Sequence, residues 1–312
     1  MITEERKKWL LERKTYIGGS DIAACCGLSP YKTPLRVYLE KTSPEIKETT
    51  NEAMERGHRL EPEVARMYEE NTGFELEIEP NVIRHPDYSF MAVNIDRWAD
   101  NKKHLLEIKT TDSMSGAIRR KEWGEQYTDQ VPEVYLCQVA YQSAIVSASQ
   151  PISHVDIALL IGEREFRIYT YKPDKELEDK LLQVAFNFWH NHILKQIPPE
   201  PIGLEDISSL YKEGNGQSIE ADGLIMEKVS ILRGLKAQER EITEAIRQVQ
   251  AEVQSFMKEN EVLIDNCGNT LATWKTLKPK VVFDINALQE ENGELMNRYI
   301  KESKQSRMFL IK

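Results

Sequence analysis

Long apolar runs are missing from this chain of 312 residues: no stretch approaches the roughly 20 that a membrane-spanning helix needs. The opening segment, MITEERKKWLLERK, carries charge where a signal peptide carries its apolar core. Both absences lead to the expectation of a cytoplasmic protein with no membrane partner. Cysteine is scarce, with four residues and no C-x-x-C pair. The usual zinc and iron–sulfur spacings are therefore excluded, leaving Cys25, Cys26, Cys137 and Cys267 as reduced thiols. The six histidines show no ligand spacing either. Excess positive charge is lacking too: 41 Lys and Arg face 51 Asp and Glu, for a net charge of −10. Such a chain does not coat nucleic acid generally, so any such binding needs basic residues focused in one cleft.

A composition of 40% hydrophobic and 29% charged residues is that of a globular protein. The first two thirds alternate helix and strand signals. SDIAACCG reads as a short helix capped by Ser20 and stopped by Gly27, and PLRVYLEKT as a helix starting at Pro34. Residues 51–72 read as a longer helix that Pro62 kinks or breaks. FELEIE, SFMAVNIDRWAD and HLLEIKTT read as strands, the last two paired as a hairpin through DNKK. PEVYLCQVAYQSAIVSA returns to helical spacing, HVDIALLIG and EFRIYTYK are strands, and DKELEDKLLQVAFNFWHNHIL is a helix. The expected fold is mixed α/β (α+β), a central sheet flanked by helices over residues 1–203. Residues 204–219 read as a Pro/Gly/Ser-rich linker. Residues 220–312 read as an accessory region: a long amphipathic helix, packed on its own domain or paired as a coiled coil, a hairpin at NCGN, and a final strand SRMFLIK.

One stretch carries chemistry. In HLLEIKTT, Leu106 and Ile108 occupy one face of a strand, and Glu107 and Lys109 stand together on the other. A lone Glu–Lys pair is commonly a solubility feature of a strand. Asp96, at the end of the preceding strand, changes that reading, because a hairpin would bring its carboxylate to Glu107. Two adjacent carboxylates repel, and a hard divalent cation such as Mg²⁺ or Mn²⁺ relieves the repulsion. Such a cation polarises a phosphoryl oxygen and activates water, and a neighbouring ammonium stabilises developing charge. The pattern therefore points to phosphodiester hydrolysis.

These residues resemble the PD-(D/E)XK nuclease core, with Ile95 where the name of that superfamily has proline. Trp9, RKTYIGGSDIAACCGLSPYKTP, ERGHRLEPEVARMYEENTG and YLCQVAYQSAI further resemble the YqaJ-type viral recombinase family, relatives of phage lambda exonuclease, over about residues 9–195. The resemblance implies a Mg²⁺-dependent exonuclease (Mn²⁺ substituting) that digests one strand of duplex DNA from a 5′ end. It implies a phage or prophage origin, double-stranded DNA ends as substrate, a single-strand annealing protein as partner and a trimeric ring. It makes Asp96, Glu107, Glu61 and the backbone carbonyl of Ile108 metal ligands and Lys109 the catalytic lysine. Gln138 and Tyr135 would line the active site, and Arg13 and Ser20 would hold a terminal 5′ phosphate.

Each has a plainer reading. Glu61 could be a solvated helix acid, Gln138 a core amide, Tyr135 core packing and Ser20 only a helix cap. The cluster RRKEW, with Arg119 and Arg120, could contact a DNA strand, with Trp123 stacking or wedging. Lys275, Lys278 and Lys280, and the tail Arg298, Lys301, Lys304 and Arg307, are weaker DNA contacts. The rival readings are an endonuclease with the same core and a non-catalytic module that binds DNA ends or a recombinase.

Overall fold

The computed structural model describes residues 3–45, 52–119, 121–281, 284–300 and 307–311, in two compact units, Met1–Ser209 and Leu210–Lys312. Among the described residues no helix is long and apolar enough to cross a membrane.

The first unit begins with α1 (Glu4–Arg13), α2 (Gly19–Cys25), α3 (Pro34–Thr42) and α4 (Glu52–Thr72). Short strands β1 (Leu76–Glu77), β2 (Ile83–Arg84), β3 (Ala92–Val93) and β4 (Arg97–Ala99) lead into β5 (His104–Thr111). Then come α5 (Gly116–Arg119), α6 (Glu133–Ser147), β6 (Val155–Ile161), β7 (Glu165–Tyr171), α7 (Lys175–Phe188) and α8 (Leu204–Leu210), whose last residue opens the second unit. The main sheet has the order β1-β4-β5-β6-β7. β4 and β5 are antiparallel, β5 and β6 parallel, and β6 and β7 antiparallel. The mixed sheet flanked by helices is the fold expected, and its one parallel pair is joined through α6, as a parallel connection requires a crossover.

Alternation along β5 decides the two layers. Leu106 and Ile108 pack with Val64, Ala65 and Tyr68 of α4, while Glu107 on the other face meets α6. α6 is buried continuously from Val139 to Val146, because the sheet, α2 and α7 surround it. An all-round apolar helix of this kind is a core helix, so the single apolar side read from the sequence understates its burial.

Several local expectations need correction. The first helix signal starts at Gly19, and its N-cap is Gly18 rather than Ser20. α4 runs unbroken through Pro62. SFMAVNIDRWAD is not one strand: β3 pairs with β2, β4 pairs with β5, and Asn94–Asp96 form the break. Part of the linker is helical. Asp206 of α8 is buried, and its carboxylate accepts from the Thr33 hydroxyl at 2.7 Å and the Ile202 amide at 3.0 Å.

The second unit holds α9 (Gly223–Met257), the hairpin of β8 (Val262–Ile264) and β9 (Thr270–Thr273), and α10 (Ile285–Asn297). The hairpin turns at Asp265–Asn269, where Gly268 takes φ +85°. The amphipathic stripe of α9 does not pack on its own unit: Ile231, Leu235, Ile242 and Val249 are all exposed. No strand forms over residues 307–311, and Lys301 and Lys304 lie outside the described residues.

Candidate active site

The β4–β5 register pairs Arg97 with Leu106, so one residue further along Asp96 faces Glu107. The Asp96 carboxylate accepts the Ile108 amide at 2.7 Å, which fixes it against β5. Glu107 is buried at 3% exposure and ion-paired with Lys109, two residues along the same face. From α6, Gln138 Nε2 donates to Glu107 Oε1 at 2.6 Å, and Gln142 Nε2 donates to Oε2 at 2.6 Å. Gln142 also reaches the Asn94 carbonyl at 3.3 Å, in the break between β3 and β4. The two amides lie four residues apart and therefore share one helix face.

The electrostatics follow from burial. Desolvation, then the charge of Glu107, push the Asp96 carboxyl up to about 7, against the Lys109 charge and the Ile108 N–H. For Lys109, burial pulls the ammonium down, but Glu107 and Asp96 outweigh it and leave its pKa raised. Lys109 is thus held as a cation at any physiological pH. Its Nζ lies 5.2 Å from the centre of the Tyr135 ring, which stacks on Trp123 at 5.4 Å. Trp123 is buried against Tyr135 and Tyr169, so it is a wall of the site rather than a free wedge. Arg119 closes α5, and Arg120 lies outside the described residues.

Glu61 arrives from α4, the layer opposite α6. Its Oε1 accepts from Arg97 at 2.8 Å, and its charge adds to the upward push on Asp96. Glu61, Asp96 and Glu107 do not form a group whose ligand atoms all lie within 4.8 Å; among the described residues that description fits only His104, His154 and Asp156. The oxygen donors of the three carboxylates, with the Ile108 carbonyl, suit a hard divalent cation. As they stand, each carboxylate has another source of relief: Arg97 for Glu61, Lys109 for Glu107 and a raised pKa for Asp96.

The histidine cluster is a pairing that spacing along the chain did not show. The parallel register sets Leu105 beside Val155, so His104 and His154 are neighbours, with rings stacked at 4.1 Å. Tyr68 of α4 closes the group. Its hydroxyl donates to Asp156 Oδ2 at 2.5 Å and lies 3.0 Å from His104 Nε2, and Thr170 donates to Asp156 Oδ1 at 2.7 Å. Buried polar atoms here satisfy one another, as a structural network does. Its effect is to seat α4, and hence Glu61, on the sheet.

At the start of the chain Arg13 Nη2 donates to Ser20 Oγ at 3.0 Å, and the Arg13 guanidinium lies over Trp9 at 4.8 Å. Beneath them Asp21 is buried, yet Lys41 at 2.6 Å and Lys32 at 2.7 Å overcome its desolvation and hold its carboxyl well below the usual range. The Asp21 carboxylate already takes the Gly18 amide at 3.1 Å. The Gly18 amide is thus already used by Asp21, and the polar side chains at this end of α2 are Arg13 and Ser20. All four cysteines are free.

Residues 8–149 match the family described as the YqaJ-like viral recombinase domain. Over 304 residues it is 28% identical to the uncharacterized protein YqaJ of Bacillus subtilis (strain 168), spanning 96% of this chain and 92% of that one. The alkaline exonuclease LHK-Exo of Laribacter hongkongensis is similar at 16% identity and TM-score 0.47, over 61% of this chain and 94% of that one. A phage-related exonuclease of Haemophilus somnus 129PT is similar at 11% identity and TM-score 0.43, over 58% of this chain and 96% of that one.

Two contributors to the site were missed from sequence. Gln142 carried a signal, its i+4 spacing from Gln138. Arg97 had none beyond its place beside Asp96.

Proposed function

We propose that the chain is a metal-dependent DNA exonuclease that degrades one strand of a duplex from its 5′ end. The observation that carries this reading is the buried Glu107, ion-paired with Lys109, facing an Asp96 whose carboxyl is pushed up to about 7. Pressing one carboxylate against another is costly, and acids perturbed in this way cluster at functional sites. Asp96, Glu107, Glu61 and the Ile108 carbonyl would hold Mg²⁺ or Mn²⁺, which when bound supplies phosphate polarisation and an activated water.

The protein's own groups do the rest. Glu107 is held by Gln138 and Gln142, so its oxygens are placed before substrate arrives. Lys109, kept protonated, offers its ammonium to charge developing on the phosphate. Tyr135 and Trp123 form one wall and limit water on that side. Arg13 and Ser20 present a guanidinium and a hydroxyl to a terminal phosphate, which would keep the scissile bond in register. The overhang so produced is a substrate for a single-strand annealing partner, and a trimeric ring would make degradation processive.

A covalently closed circular duplex and its linearised form, each incubated with Mg²⁺, test the activity class. The linear form should be degraded and the circle should survive. Cutting of the circle would replace this reading with an endonuclease, and inertness toward both with a binding module.

A further inference from the structure

We infer that Gln142 is a positioning residue for Glu107, and that α2, packed on Gln142 and Gln138 at Gly19, backs both amides. The inference deepens the reading above and rests on Glu107 being a metal-holding carboxylate.

A carboxylate oxygen has two lone-pair positions. Glu107 Oε1 accepts from both the Lys109 ammonium and Gln138 Nε2, so its two positions are used. Oε2 accepts from Gln142 Nε2, which leaves it one position open. The open ligand position of Glu107 is therefore on Oε2, and the Gln142 amide sets the angle at which it is presented. Gln142 is itself fixed. It is 1% exposed, and the same amide nitrogen is tied to the Asn94 carbonyl, two residues before Asp96. One side chain thus connects Glu107 to the backbone segment that carries the opposing carboxylate.

Gly19 packs directly against the two glutamines. A Cβ at position 19 would lie 3.4 Å from Gln138 Cγ and 3.5 Å from Gln142 Cγ. Methyl contact at that distance is tolerated, but a branched side chain would drive into both glutamines. The residue next to Gly19 is Ser20, hydrogen-bonded to Arg13. The segment that offers groups to a DNA end is thus the one that backs the amides holding Glu107.

The test uses the full-length protein and Mn²⁺ alone, titrated by calorimetry with no DNA present. Gln142→Met keeps the approximate volume and removes the donor. Mn²⁺ affinity should fall about 10- to 100-fold, the range for groups that orient a metal-binding side chain. Gly19→Val should weaken Mn²⁺ binding by crowding the same amides, and should add little in the Gln142→Met background because the target is already gone. Should Gln142→Met fail to fold, Gly19→Ala and Gly19→Val form a graded pair that decides the question: affinity falling with side-chain size supports the inference, and equal wild-type affinity in both overturns it. Wild-type affinity in Gln142→Met, while Glu107→Ala abolishes binding, overturns this inference and leaves the nuclease reading standing. Wild-type Mn²⁺ affinity in Glu107→Ala overturns both.

Discussion

Replacing Asp96 with asparagine should make the metal-free protein more stable at alkaline pH while abolishing its activity. The carboxyl is pushed up to about 7 by burial and by the adjacent Glu107. In the unfolded chain it titrates near 3.9. Below about pH 4 both states carry the proton and the group is neutral in its effect. Between about 4 and 7 the folded protein keeps a proton the unfolded chain has lost, so stability falls as pH rises. Above about 7 the full penalty of a buried carboxylate beside Glu107 is present. A shift of about three units at ~1.36 kcal/mol each sets a ceiling of about 4 kcal/mol. Asp96 is only half-buried and shares its titration with Glu107, so a realistic effect is about 1–3 kcal/mol. Asparagine keeps an oxygen to accept the Ile108 amide and removes the charge. Urea unfolding of wild type and Asp96→Asn in EDTA, at pH 5 and pH 8, measures this. The variant should gain on wild type between the two pH values. Parallel behaviour, or a variant less stable at pH 8, would refute the claim that Asp96 is held under electrostatic load.

Lys109→Ala should leave Mn²⁺ binding measurable yet slow single-turnover cleavage by about 2.7–4 kcal/mol of transition-state stabilisation, taking the loss of an oxyanion donor as the guide; equal loss of affinity and rate would make the lysine structural. Arg13→Ala should erase most of the preference for 5′-phosphorylated over 5′-hydroxyl ends, read as initial rates on paired duplexes, and a wild type indifferent to the phosphate would remove that role from Arg13 and Ser20. Tyr68→Phe strands Asp156 Oδ2 and the His104 ring in a buried site, and should cost about 1–3 kcal/mol in chemical denaturation. A neutral result there would show that the network does not seat α4.

The hairpin was legible because its signals are local. Strand alternation placed Leu106 and Ile108 opposite Glu107 and Lys109, and Asp100, Asn101 and Lys102 turn the chain with positive φ between the strands. What stayed hidden depends on contacts between distant segments. Gln142 acts on Glu107 across 35 positions of sequence, and its role exists only because α6 lies on the Glu107 face of β5. His104 and His154 become neighbours only through the parallel register of β5 and β6. Pro62 signalled a break that α4 does not show, since packing of Val64, Ala65 and Tyr68 on the sheet overrides a local penalty. The apolar stripe on α9 is exposed, because amphipathic spacing fixes which side of a helix can be covered and not what covers it.

The most direct test of the account is release of label from linear, 5′-phosphorylated duplex carrying its label at either the 5′ or the 3′ end, with Mg²⁺ or EDTA, by wild type and Glu107→Ala. Wild type in Mg²⁺ should release label early from the 5′ end, with no release in EDTA or from Glu107→Ala. Early release from 3′ ends would contradict the proposed direction, and undiminished release by Glu107→Ala would place the chemistry elsewhere in the protein.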